Sequence, residues 1–154
     1  MITSALISDV CVIALFTIWT IFGCSWRLPI AVSGTYLLKV MLSALFKMRY
    51  PENMIWDFPG WYSLSISYGA ANDTHFTVHV ALLLIVCFEF HAMRHRVLMA
   101  VSIVALLFQT FLMLVLRGAY SIDLFAAYVF GYFFWLMGQQ FSYLIDVDVF
   151  GLTF

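Results

Sequence analysis

Charge is what this chain has least of. Its 154 residues include seven Lys and Arg and eight Asp and Glu, so only 10% are charged, against about 25% in a soluble domain. A chain that is 65% hydrophobic lacks the polar groups to cover its own apolar surface in water. It therefore reads as an integral membrane protein, a single transmembrane domain over 1–154. The net charge of −1 offers nucleic acid no basic patch. No basic residue precedes Arg27, which argues against a cleaved secretory leader or an Arg-rich transit peptide. The three cysteines, Cys11, Cys24 and Cys87, are odd in number and have no CxxC spacing. They read as small buried hydrophobes and leave the redox compartment open. Internal repeats and low-complexity segments are also missing.

What the chain does have is long apolar runs. A helix needs about 20 largely apolar residues to cross the hydrocarbon core. Val97 to Leu116 and Leu124 to Ile145 carry no charge, and Val10 to Trp26 carries none. Leu28 to Phe46 carries only Lys39, and Pro29 suits its first turn, where a missing N–H is harmless. A fifth run around Thr74 to Phe90 holds His75, His79 and Glu89 and is the least lipid-like. The fold class expected is all-α: an integral membrane bundle of about five transmembrane helices, spanning about 8–26, 28–46, 74–92, 97–116 and 123–145. Residues 47–73 hold Trp56, Trp61 and two of the three prolines. They read as an interfacial loop at the aromatic belt.

Five spans alternate in direction. Lys47, Arg49 and Arg117 then share one face, while Arg27, Arg94 and Arg96 share the other, so the positive-inside rule does not orient the chain. Asp73, His75, His79, Arg117, Tyr120 and Asp123 gather at the first of these faces. Ionisable groups there either mark a functional site or cap helix ends among headgroups. The four histidines form two i, i+4 pairs, His75/His79 and His91/His95, a spacing able to present two nitrogens to a metal. HFTVH lacks the zincin Glu and no third ligand is evident, so no metal is expected. HAMRHR reads as a solvated basic helix end facing lipid headgroups, with Glu89 paired to Arg94 or to another chain. Asp146 and Asp148 read as solvated residues closing the last helix.

Two stretches carry a likeness. Asp73-Thr74-His75-Phe76-Thr77-Val78-His79 matches a helix that opens with Asp and runs on to Ser-Gly-His. Ala119-Tyr120-Ser121-Ile122-Asp123, preceded by Arg117, matches His-Tyr-Ser/Thr-Ile/Val-Asp at the head of a later helix. Together they resemble the type 2 phosphatidic acid phosphatase-like superfamily. The branch is that of sphingomyelin synthases and phosphatidylcholine:diacylglycerol cholinephosphotransferases. The likeness covers roughly residues 47–134 and implies a truncated form of that family's six-helix core. In the family a neutral histidine attacks phosphorus, a carboxylate four residues on fixes its tautomer, and the second histidine protonates the leaving alkoxide.

The chain departs from that chemistry at two points. Ala119 stands where the nucleophile should be, and no histidine follows His95. Val78 replaces the glycine of Ser-Gly-His, narrowing the phosphate cradle. The expectation is a pseudoenzyme whose remnant site is His79, Asp123, Asp73 and Ala119. A lipid headgroup site would be retained at His75, His79, Arg117 and Tyr120. No cofactor is expected beyond a bound phospholipid. Expected partners are membrane lipids and other integral membrane subunits, the chain serving as an accessory subunit of a larger complex. The mitochondrial inner membrane is favoured and the endoplasmic reticulum is the alternative. The competing reading is a divergent lipid phosphotransferase using His79 or His75.

Interhelical association in lipid needs small residues and polar groups, because the hydrophobic effect gives little drive there. The Ala126/Ala127/Gly131 strip, Gln139 and Gln140, and the Glu89–Arg96 end are the candidate surfaces for another chain. The small-residue strip fits packing inside the bundle equally well.

Overall fold

The computed structural model describes residues 2–22, 25–45, 77–115 and 120–149. It is all-α over that range. The helices are α1 (Ile2–Phe22), α2 (Arg27–Leu45), α3 (Val78–Ala92), α4 (Arg96–Val115) and α5 (Ser121–Leu144), with a π-helical turn, Ile145–Val149, continuing α5. Helix is the solution lipid imposes, since only a helix satisfies its backbone N–H and C=O groups within one segment. Three helical stretches, Arg27–Leu45, Arg96–Val115 and Ser121–Val147, are long and apolar enough to cross a membrane. Asp9–Ile21 and Val78–Ala92 are shorter apolar stretches. The expected interfacial loop, 47–73, lies outside the described residues.

The short helix is the middle one. Eleven of the fifteen residues of α3 are buried, and α3 touches each of the other four helices. That explains why its sequence is hydrophobic all round rather than on one stripe. α1 packs on α4 to one side of it, and α2 packs on α5 to the other. The outer helices bury narrow stripes. α4 buries Ser102, Ala105, Leu106 and Gln109 and exposes Val97, Val101, Val104, Leu107 and Phe111. Such exposed apolar faces suit lipid, which is as apolar as the side chains it meets.

Close crossings rest on small residues of α5. Ala127, Gly131, Gly138 and Ser142 line its buried stripe. A Cβ at Gly131 would lie 3.2 Å from the Ala81 backbone of α3. One at Gly138 would lie 2.8 Å from the Arg27 carbonyl of α2. Seven residues apart, the two glycines face the same way. The small-residue strip offered above as a surface for another chain is therefore taken up by this chain's own helices. α4 is tied to α5 by the Thr110 and Tyr128 hydroxyls, 2.7 Å apart.

Three contacts fix which helix ends meet. The Thr77 hydroxyl, just before α3, reaches the Asp123 carbonyl in the first turn of α5 at 3.5 Å. Arg27 at the start of α2 pairs with Glu89 near the end of α3. The Trp26 N–H donates to Asp146, past the end of α5, at 3.3 Å. The starts of α3 and α5 thus share one end of the bundle, and the α1–α2 and α3–α4 connections share the other.

Candidate functional site

At the end where α3 and α5 begin, the backbone decides what the acidic group does. Asp123 is the third residue of α5, and its Oδ2 accepts the Tyr120 N–H at 3.2 Å. This acid-to-N-cap bond satisfies one of the donors a helix start leaves open, and the carboxylate also sits against the positive end of the helix. Asp123 is buried, whereas Tyr120 is exposed. His79, the second residue of α3, is 8% exposed. Among the described residues, nothing hydrogen-bonds its buried Nε2.

Two groups not assigned to the site from sequence act here as well. The ammonium of Lys39, on α2, lies within electrostatic range of the His79 ring. Asp9, buried on α1, lies within range of Tyr36, one turn before Lys39. The signal for them was available. Asp9 is early in the first span, Lys39 late in the second and His79 early in the third, so alternation alone puts all three at one face. Asp73, His75, Arg117 and Ala119 lie outside the described residues.

The arrangement supplies a buried ring nitrogen with open hydrogen-bonding capacity and a carboxylate engaged in a helix cap. A relay needs the acid to accept the histidine N–H and fix its tautomer. Nε2 does not make that bond, and Asp123 Oδ2 is occupied by backbone. In this geometry His79 can accept or donate one hydrogen bond to a ligand.

The opposite end corrects two expectations. Glu89 pairs with Arg27 rather than with Arg94. Arg27 Nε and Nη2 donate to its two oxygens, both at 2.7 Å, and Trp135 Nε1 donates to Oε1 at 3.1 Å. Glu89's side chain is only 1% exposed, and a carboxylate buried that deeply requires a partner. Arg27 was within reach because α2 starts at the face where α3 ends. Asp146 is not solvated: it is 4% exposed and accepts the Trp26 N–H. The indole of Trp135 is held by stacking on Phe88, with ring centroids 4.7 Å apart. His91, Arg94, His95 and Arg96 are exposed at this end.

Fold and polar clusters together define the class: an all-α integral membrane protein with ionisable groups buried at both ends of a central helix. Comparison of the chain with protein-family models, with curated proteins and with solved structures finds no match.

Proposed function

We propose that this chain is a non-catalytic membrane subunit, built on the frame of a lipid-phosphate site and working through its surfaces and a retained headgroup pocket. The observation that carries the reading is the capping role of Asp123, the carboxylate that the resemblance would have orient the nucleophile. With Ala119 at the position of the family's nucleophile, the group that would attack phosphorus and the group that would orient it are both out of use. Removing one member of a catalytic unit commonly lowers rate by several orders of magnitude. The partners are other integral membrane subunits of a larger complex, and the mitochondrial inner membrane is the favoured site.

The test is purification from native membranes in mild detergent. Co-elution of the chain with a defined set of membrane proteins, and no turnover of labelled phosphatidic acid or phosphatidylcholine, is the expected result. A lone chain that exchanges headgroups sinks the proposal. One observation favours the alternative of a divergent phosphotransferase, namely the unbonded Nε2 of His79, which is the kind of atom a phosphohistidine intermediate needs. Trapping phosphate on His79 during turnover would establish it.

A further inference from the structure

The connection between α3 and α4 is built around a strained residue. Met93 closes α3, Arg94 follows with φ of 59°, and His95 leads into α4. The Arg94 N–H bonds the His91 carbonyl and the His95 N–H bonds the Phe90 carbonyl, both at 3.0 Å. This is the Schellman arrangement, whose left-handed position is usually glycine. An arginine there carries a Cβ penalty that glycine would avoid. Strain at a position that tolerates a simpler residue is a reason to look for function in the side chain.

A pocket of about 410 Å³ opens at this elbow, lined by Phe90, His91, Ala92, Arg94, Arg96 and Met99. Arg94, Arg96 and His91 are among its lining residues, and among the described residues no acid is. Glu89, one turn below, is bound through both oxygens by Arg27, so its charge is neutralised within the bundle. Among the described residues, no acid pairs with Arg94 or Arg96. The carbonyls of Glu89, Phe90 and His91 are taken by the N–H groups of Met93, His95 and Arg94, which blunts the negative end of α3. The start of α4 adds the positive end of a twenty-residue helix. Phe90 and Met99 add apolar surface to the lining. A basic, forked pocket with apolar residues in its lining, at the end of two membrane helices, matches a phosphate joined to acyl chains.

We propose that the α3–α4 elbow binds a phosphate-bearing anion, the headgroup of an acidic phospholipid, through Arg94, Arg96 and His91. This site is at the opposite end of the bundle from His79 and stands whether or not the His79 end holds a lipid.

The test uses the full chain, purified in mild detergent and exposed to vesicles of phosphatidylcholine alone or of phosphatidylcholine with phosphatidylglycerol. Bound lipid is counted by native mass spectrometry. Wild type should retain phosphatidylglycerol in preference to phosphatidylcholine. Arg94→Gly should weaken that retention by about tenfold. Its thermal midpoint in lipid-free detergent should be equal or higher, because glycine suits the turn. Inorganic phosphate supplied as competitor separates the sources. If phosphate alone binds with the same dependence on Arg94 while vesicle lipid does not, the shared chemistry holds and the ligand is free phosphate. Equal retention of the two lipids by wild type without Arg94-dependent phosphate binding, or unchanged retention by a folded Arg94→Gly chain, overturns the site. Full retention by Arg94→Lys that vanishes at high salt also overturns it, since that is surface attraction rather than recognition by a fork.

Discussion

The two ends of α3 treat a buried polar group in opposite ways. At its end, Glu89 has both oxygens engaged, by an arginine from α2 and an indole from α5. At its start, His79 is buried to a similar depth, yet its Nε2 has no partner among the described residues. One buried ionisable group ties three helices together; the other, among the described residues, leaves a ring nitrogen unbonded. Buried polar atoms are nearly always bonded, and an unbonded one calls for a ligand, a water or a role. The contrast separates a buried polar group satisfied among the described residues from one that is not.

Substitutions should break that contrast in a graded way. The largest loss is expected for Arg27→Gln, which strands the Glu89 carboxylate. Removing one member of a buried pair costs about 3–5 kcal/mol, and the value here falls toward the lower figure because Arg27 is 23% exposed. Denaturation in detergent should show it, while Arg27→Leu combined with Glu89→Leu should recover most of the loss. Gly138→Ala comes next. The new methyl would meet the Arg27 carbonyl at 2.8 Å, and overpacking of that kind costs about 1–3 kcal/mol. The same denaturation assay reads it, and a stability equal to wild type would mean that α2 and α5 can part without penalty.

Trp135→Phe keeps the stack on Phe88 and deletes one donor to Glu89. A fall of about 1.5 kcal/mol is expected, the low end of the range for a hydrogen bond to a charged group, because Arg27 still holds both oxygens. The smallest effect belongs to the other end. His79→Leu removes an unbonded polar atom, so stability should stay within about 1 kcal/mol of wild type or rise. If His79→Leu proves as destabilising as Arg27→Gln, the histidine is a structural member like Glu89 and the contrast collapses. Under the proposed function, the loss from this variant should appear in co-elution with other membrane proteins or in lipid retention at that end.

Much of the candidate site was legible from residue order alone, though not its bonding. Thr77 and Asp123 meet because α3 and α5 begin on one side of the membrane, which alternation of spans already requires. The partner of Asp123 is its own helix start, a competition between capping and catalysis that a motif does not register. Glu89 and Arg27, 62 residues apart, share a face by the same alternation. Nearer charges in HAMRHR drew attention away from Arg27. Those charges point out of the bundle at an elbow whose left-handed Arg94 has no sequence signal.

By itself the sequence determined that this is an all-α membrane protein and at which end of the bundle each charge falls. Long apolar runs with few charges leave the backbone no other way to meet its hydrogen bonds in lipid, and consecutive helices that each cross the bilayer must alternate in direction. Only the tertiary structure decided how each helix is rotated about its axis and which neighbour it meets. α3 is apolar on every side, so no stripe in its sequence says which face receives Gly131 or where Glu89 will find a cation. Those choices were made by close approach at small residues and by the need to pair buried charge, and both depend on all five helices at once.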